Sequence, residues 1–301
     1  MNRWPPRPTL SAGFYKAHGL GNDYLVVEAG SDWIATPDNV RLVCDRNRGV
    51  GADGIVVLLE DGGRSLGRVG LRMFNPDGGE FERSGNGLRV LGSYLAGLDP
   101  KLESVEVDVG GDVVQMTLHG QEGPVHDVSV EMGRAETGPR AVDLDPEALS
   151  ESGSFPGPGD ELLQVVPVSV GNPHMVILSD RADPDFSEAR MAKVGPFVAK
   201  HSSLRHGANV QLARALDDDR CEAFIWERGA GRTSASGTSA CAVAVALVTS
   251  GLMTPGEITV QMPGGRLVVG ITQELDVVLR GPVQEICAGR LRPRLVDSMS
   301  S

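Results

Sequence analysis

Gly21-Asn22-Asp23-Tyr24-Leu25-Val26-Val27 and Gly171-Asn172-Pro173-His174-Met175-Val176-Ile177 are two versions of one stretch, and they decide the fold. Each opens on Gly-Asn and runs into apolar, partly β-branched residues, the pattern of a buried strand. The surroundings repeat in the same order. Ser84-Gly85 opens an apolar run with helical spacing, and Ser236-Gly237 opens another. Asn22 stands 62 residues before Ser84, and Asn172 stands 64 before Ser236. A polar residue precedes each serine by nine positions, Asn75 in one half and Glu227 in the other. Four matches in one order imply a duplicated unit. Such a duplication is expected to place two equivalent helix N-termini across a cleft from one another.

Working outward, strands are expected near 24–28, 54–59, 69–74, 163–170, 175–178, 258–261, 267–271 and 275–279. The stretches 105–109 and 113–118 read as a hairpin around Gly110-Gly111-Asp112. Helices are expected over 86–98, with Gly97 near the stop, and over 240–247, ending near Gly251. Residues 1–12 read as a loose tail, and the Pro-, Gly- and acid-rich stretch 134–160 as the connection between halves.

The length of 301 residues suits two domains of roughly 150 residues each. With 41% hydrophobic residues the chain can bury a full core. A net charge of −12 argues against nucleic acid or an anionic membrane as a partner. No apolar run approaches the ~20 residues of a membrane span. The start, with Arg and Pro and no apolar core, is not expected to be a signal peptide. Cys44, Cys221, Cys241 and Cys287 lack metal-type pairing, so they are expected to be buried free thiols in a reducing cytoplasm.

A helix start exposes backbone N–H groups and the positive end of the helix dipole, which suits a carboxylate. Taken singly, Ser84 or Ser236 is an N-cap. Taken together, two such ends would grip one amino-acid carboxylate and hold a hydroxyl on each side of its Cα. One group then removes the α-proton and the other returns it to the opposite face.

Longer motifs make the chain resemble the diaminopimelate epimerases, within the wider proline racemase-like group. Lys16-Ala17-His18-Gly19-Leu20-Gly21-Asn22-Asp23 is similar to the family's opening motif. Cys44-Asp45-Arg46 with Gly49-Val50-Gly51-Ala52-Asp53-Gly54 resembles its second signature, and Phe74-Asn75-Pro76-Asp77-Gly78 with Gly85-Asn86-Gly87-Leu88-Arg89 its third. Gly171-Asn172-Pro173-His174, Asn209-Val210, Trp226-Glu227-Arg228-Gly229 and Gly237-Thr238-Ser239-Ala240 complete the set, which spans about residues 13–290 in order.

The resemblance implies an α/β fold of two pseudo-symmetric domains, each a strand-rich open barrel around a central helix. The site is then expected in the inter-domain cleft. The first domain would run over 13–132 with 282–296, the second over 133–281. It implies that Asn22, Asn75, Asn172 and Asn209 bind the substrate's distal end or its α-groups. Arg228 would pair with the distal carboxylate through its planar fork. The backbones of Gly85-Asn86 and Gly237-Thr238 would hold the reacting carboxylate, and His174 and Glu227 would flank the reacting centre. Neither cofactor nor metal is implied; a homodimer is. At Ser84 and Ser236 the family carries its two catalytic cysteines.

That exchange matters chemically. A cysteine's reference pKa lies near ~8.5, and a helix N-terminus lowers it into working range. A serine hydroxyl stays protonated unless a strong neighbouring base activates it. His174 or Glu227 is placed for that role. Three functions stay open on the sequence: an epimerase weakened by its serines, a non-catalytic amino-acid-binding paralogue, and an isomerase or dehydratase of another amino acid.

Overall fold

The computed structural model describes residues 7–59, 68–81, 84–109 and 112–299. The chain forms two compact units, Met1–Val130 with Pro282–Ser301, and Glu131–Gly281. In chain order the first unit holds β1 (Thr9–Leu10), β2 (Gly13–Gly19), β3 (Asn22–Glu28), β4 (Trp33–Ile34), α1 (Pro37–Cys44), β5 (Gly54–Leu58), β6 (Arg68–Phe74), β7 (Glu80–Phe81), α2 (Gly85–Leu98), β8 (Ser104–Val109), β9 (Asp112–Glu122) and most of β10 (Val125–Arg134). The second holds β11 (Glu136–Thr137), β12 (Ser154–Pro156), β13 (Leu162–Ser169), β14 (Pro173–Leu178), α3 (Glu188–Ala199), β15 (Asn209–Ala215), β16 (Arg220–Glu227), β17 (Gly231–Thr233), α4 (Gly237–Thr249), β18 (Gly256–Met262), β19 (Gly265–Ile271) and the start of β20 (Asp276–Arg290). From Pro282 onward β20 belongs to the first unit, as does α5 (Pro293–Met299).

In the first unit β2 pairs antiparallel with β3, and β3 parallel with β5. β5–β6 is antiparallel, β6–β8 parallel, and β8–β9 and β9–β10 antiparallel. The late half of β20 pairs with β2 on one side and meets β10 on the other, where Glu285 N–H donates to the Pro124 carbonyl at 2.9 Å. Eight strands thus close into a barrel. The expected barrel was open. It closes because the segment expected to complete this domain, 282–296, enters as the second half of β20, which runs unbroken from Asp276 to Arg290 and supplies the missing stave.

The second unit repeats this order of steps. β13–β14 is antiparallel, β14–β15 parallel, β15–β16 antiparallel, β16–β18 parallel, and β18–β19 and β19–β20 antiparallel. The repetition reaches single registers. Tyr24 sits opposite Gly54 across the parallel pair in one unit, and His174 opposite Asn209 in the other.

Each barrel is filled by a helix and covered by another. Gly85 through Ser93 of α2 are all buried, as are Ser239 through Leu247 of α4, so each helix is enclosed on every side. Strands packed on both faces are continuously apolar, and Gly54–Leu58 is buried throughout. Outside the first barrel, Leu25, Val27, Ile55 and Val57 join Val40 and Val43 of α1 in one core cluster. In the second, Met191, Val194 and Val198 of α3 join Met175, Ile177, Val210 and Leu212.

Several expectations change. In the supposed loose tail, Thr9–Leu10 pairs with β4 and Leu10 is fully buried, because it completes the α1 cluster. The connection at 134–160 is part of the second unit's core, through Val142, Leu144 and Phe155. Cys287 is exposed, whereas Cys44, Cys221 and Cys241 are buried. The turn glycines Gly110 and Gly111 and residues 1–6 lie outside the described residues. No helix among the described residues is long and apolar enough to cross a membrane.

Two glycines give opposite stability outcomes in urea unfolding. A Cβ on Gly49 would stand 2.0 Å from the Leu42 carbonyl oxygen, so Gly49→Ala should cost about 1–3 kcal/mol or more. A Cβ on Gly97, in the last turn of α2, meets nothing within 4 Å, so Gly97→Ala should add up to about 1 kcal/mol.

Candidate active site

Each duplicated Gly-Asn leads into a strand running beside the first turn of the central helix. In the first unit Leu20 and Gly21 both take positive φ, 53° and 90°, which reverses the chain between β2 and β3. Asn22 then starts β3 with both its amide nitrogen and its amide oxygen bonded. Its Nδ2 donates to Asp53 at 3.0 Å, and its Oδ1 accepts from Asn86 Nδ2 at 2.9 Å. Asn86 in turn accepts from the buried Arg89 guanidinium, which also donates to the Pro282 carbonyl at 3.3 Å. These bonds fix Gly85-Asn86-Gly87, the turn whose N–H groups have no partner within the helix.

Ser84 caps α2. Its Oγ accepts from Gly87 N–H at 3.0 Å and donates to the Tyr24 phenol oxygen at 3.0 Å. Beneath this corner lies a charged cluster. Lys16 reaches Asp23 at 2.9 Å, and Arg46 reaches Asp23 at 2.6 Å and Asp53 at 2.7 Å. Burial alone would raise the Asp23 pKa, but the bonds from Arg46 and Lys16 outweigh it and hold the carboxyl at about 2. Cys44 is buried beside these carboxylates, and its thiol is pushed up to about 12 by burial first and by Asp23 and Asp53 next. That is the environment of an inert structural thiol. Asn75 stands exposed at the end of β6, in a turn where its N–H donates to Gly79 and its carbonyl accepts from Gly78.

In the second unit Gly171 takes φ 94° and leads into Asn172. His174 is fully buried. Gln211 Nε2 donates to His174 Nδ1 at 3.0 Å and to Ser239 Oγ in the first turn of α4 at 2.9 Å. With Nδ1 accepting, Nε2 carries the proton and donates to Asn172 Oδ1 at 2.8 Å. Burial drives the His174 pKa from 6.5 down to about 3; the Gln211 bond opposes this and the Arg228 charge adds to it. The ring is therefore neutral at physiological pH. It bonds to Asn172 and, through Gln211, is linked to Ser239 in the first turn of α4.

Asn209 bridges two neighbours. It accepts from Arg228 N–H at 2.9 Å and donates to the Pro173 carbonyl at 3.4 Å. The Arg228 guanidinium lies exposed and donates to the His206 carbonyl at 2.8 Å. Glu227 ends β16 opposite Gly231. Ser236 is the N-cap of α4 and is buried, but makes no side-chain bond to the helix. Gly237 behind it is buried and Thr238 half-buried.

The second unit thus gathers Asn172, His174, Asn209 and Arg228, and the first gathers Asn22, Ser84, Gly85 and Asn86. Sequence reasoning passed over Tyr24, Gln211, Ser239 and Arg89. A signal for Tyr24 was present: in the internal repeat it occupies the position of His174.

Known structures share this fold. A hydroxyproline epimerase from Agrobacterium vitis superposes with a TM-score of 0.63 at 15% identity, covering 93% of this chain and 92% of that one. A phenazine biosynthesis protein of the PhzF family from Bacillus anthracis gives 0.63 at 12% identity, covering 93% and 98%. These likenesses show a shared fold. The family model for diaminopimelate epimerase matches residues 14–138 and 166–286. The diaminopimelate epimerase of Synechococcus elongatus is 34% identical over 294 residues, 94% of this chain and 99% of that one. The chain belongs to the diaminopimelate epimerase family.

The two caps predict unequal stability costs. Ser84→Ala removes a cap bond and should cost about 0.5–2 kcal/mol, whereas Ser236→Ala, with no cap bond to lose, should cost less. Comparable losses in urea unfolding would contradict this difference. A pH dependence follows from His174. Its folded pKa lies below its unfolded value of 6.5, so the unfolded chain takes up the proton first. Stability should therefore fall as pH drops from 6.5 toward about 3, by about 1.4 kcal/mol per pH unit from this group. His174→Gln should flatten that slope, and an unchanged slope would show that the ring is not held neutral.

Proposed function

We propose that this chain interconverts LL- and meso-diaminopimelate by moving one α-proton, without cofactor or metal. The observation that carries this reading is the duplicated corner, a Gly-Asn strand start beside a serine-capped helix N-terminus in each unit, within a chain of this family. In this reading the N–H groups at Gly85-Asn86 and Gly237-Thr238 bind the reacting carboxylate, where the helix dipole favours negative charge. They also stabilise the charge that builds up when Cα loses its proton. Asn75, Asn209 and the exposed Arg228 guanidinium take the distal amino-acid end. Asn22 and Asn172, each held rigidly by its own unit, orient the α-groups. Ser84 and Ser236 stand where the family resemblance implies an acid and a base, and Glu227 is the residue the same resemblance puts at the reacting centre. The reading includes the cytoplasm as its setting and a homodimer as its assembly.

Two hydroxyls are poor substitutes for a thiol and a thiolate, so turnover should be slow. A general acid or base contributes roughly 10²–10⁴-fold, and binding should survive because oxygen replaces sulfur at small steric cost. Deuterium wash-in at Cα of diaminopimelate in D₂O tests the reading. Ser84→Cys with Ser236→Cys should raise exchange and inversion by several orders of magnitude, and each single change far less for inversion. Diaminopimelate should also raise the melting temperature, less so in Arg228→Ala. A double-cysteine protein that binds diaminopimelate but neither exchanges nor inverts it would make the chain an amino-acid-binding protein.

A further inference from the structure

Tyr24 occupies a more specific place than a core aromatic requires. It is 6% exposed, yet its phenol oxygen receives the Ser84 hydroxyl proton at 3.0 Å. An N-cap serine needs only to accept an N–H, which Ser84 does from Gly87. Its own proton is directed inward, to an ionisable group. The ring is set there by two glycines: a Cβ on Gly54 would lie 2.5 Å from Tyr24 Cε1, and one on Gly87 3.3 Å from it. The second unit differs at the matching position. His174 bonds to Asn172 and Gln211, not to Ser236. So one of the two serines has an acidic partner behind it.

We infer that Tyr24 is the proton relay for Ser84, a positioning residue acting through that hydroxyl in the reaction proposed above, on which this inference rests. In the donating direction the Ser84 O–H bond breaks as the new Cα–H bond forms. The Tyr24 O–H bond breaks as the Ser84 O–H bond is remade, and the negative charge that began on the substrate carbanion ends on the phenolate. In the accepting direction the phenolate takes the Ser84 proton while Ser84 takes the proton from Cα, leaving the electron pair on the substrate. Charge then rests on a phenol, of reference pKa about 10, and never on a free serine alkoxide. The oxygen needs only to rotate its proton, because Gly87 N–H holds it in either direction.

The test isolates the Ser84 face in a Ser236→Ala protein and follows deuterium wash-in at Cα of diaminopimelate. Tyr24→Phe should lower kcat for exchange by about tenfold or more, with KM changed less than about threefold. With Ser84→Cys also present, a thiol no longer needs the phenol, and the loss from Tyr24→Phe should be at least about tenfold smaller. Melting with and without diaminopimelate checks that Tyr24→Phe keeps fold and binding. Equal losses in the serine and cysteine proteins would mean that Tyr24 only packs, and would overturn the relay. No exchange by the serine protein, alongside clear exchange by Ser84→Cys/Ser236→Cys, would also overturn the relay while leaving the proposed function standing. No exchange by either would remove the proposed function itself.

Discussion

A helix enclosed by a closed barrel buries the N–H groups of its own first turn, and the rest of each unit is arranged around that constraint. Those groups have no partner inside the helix, and leaving them buried and unpaired costs free energy comparable to lost hydrogen bonds. The first unit meets part of the demand with Ser84, and fixes the turn with the chain of bonds from Asp53 through Asn22 and Asn86 to Arg89. Small residues follow from the same constraint. A Cβ on Gly87 would press on Val56, Tyr24 and Ser84 at 3.2–3.4 Å, so glycine lets the strands approach the helix start. N–H groups at a positive helix end favour a carboxylate, so in the function proposed above the packing solution and the binding surface are one arrangement.

Arg89 shows how much depends on that turn. It is fully buried, a position a guanidinium holds only when it is paired. It spans from Asn86 in the helix to the Pro282 carbonyl, where β20 enters the first unit. The strand that closes the barrel and the turn that forms the candidate site are therefore joined through one side chain. The Asp23–Arg46–Lys16–Asp53 cluster acts from the other direction, tying the Gly-Asn corner to the loop before β5.

Much of this was legible in the sequence because duplication doubles every signal. The Gly-Asn corners, the serine starts of the two helices and the buried strands fall where the repeat places them. The covering helices were not legible, for physical reasons. α1 is only eight residues long, too short to show a clear period, and α3 carries Pro196 in its interior, which reads as a breaker. The long β20 reads as two pieces, 275–279 and the segment near 282–296, because Gly281-Pro282 interrupts the run. Within the site, asparagines and serines could be placed by motif, but their partners could not. Gln211 and Arg89 gain their meaning only from burial, and Tyr24 from a glycine opposite it in register.

The two units then differ where it matters chemically. The same register position holds Tyr24 over Gly54 in one and His174 beside Asn209 in the other. Glycine leaves room for a ring to reach the helix cap; asparagine fills that space and instead ties Arg228 and Pro173 together. The imidazole turns to Gln211 and is neutralised by burial, so it cannot supply or store a proton in the ordinary range. Duplication alone would yield two equal half-sites. Inversion of a carbon centre asks only that one group accept a proton while the other donates, a difference of protonation state that reverses with the direction of reaction. The divergence at this register pair is therefore one of surroundings, with a phenol bonded to Ser84 and no bond from the helix to the side chain of Ser236, and it is this difference that the proposed relay uses.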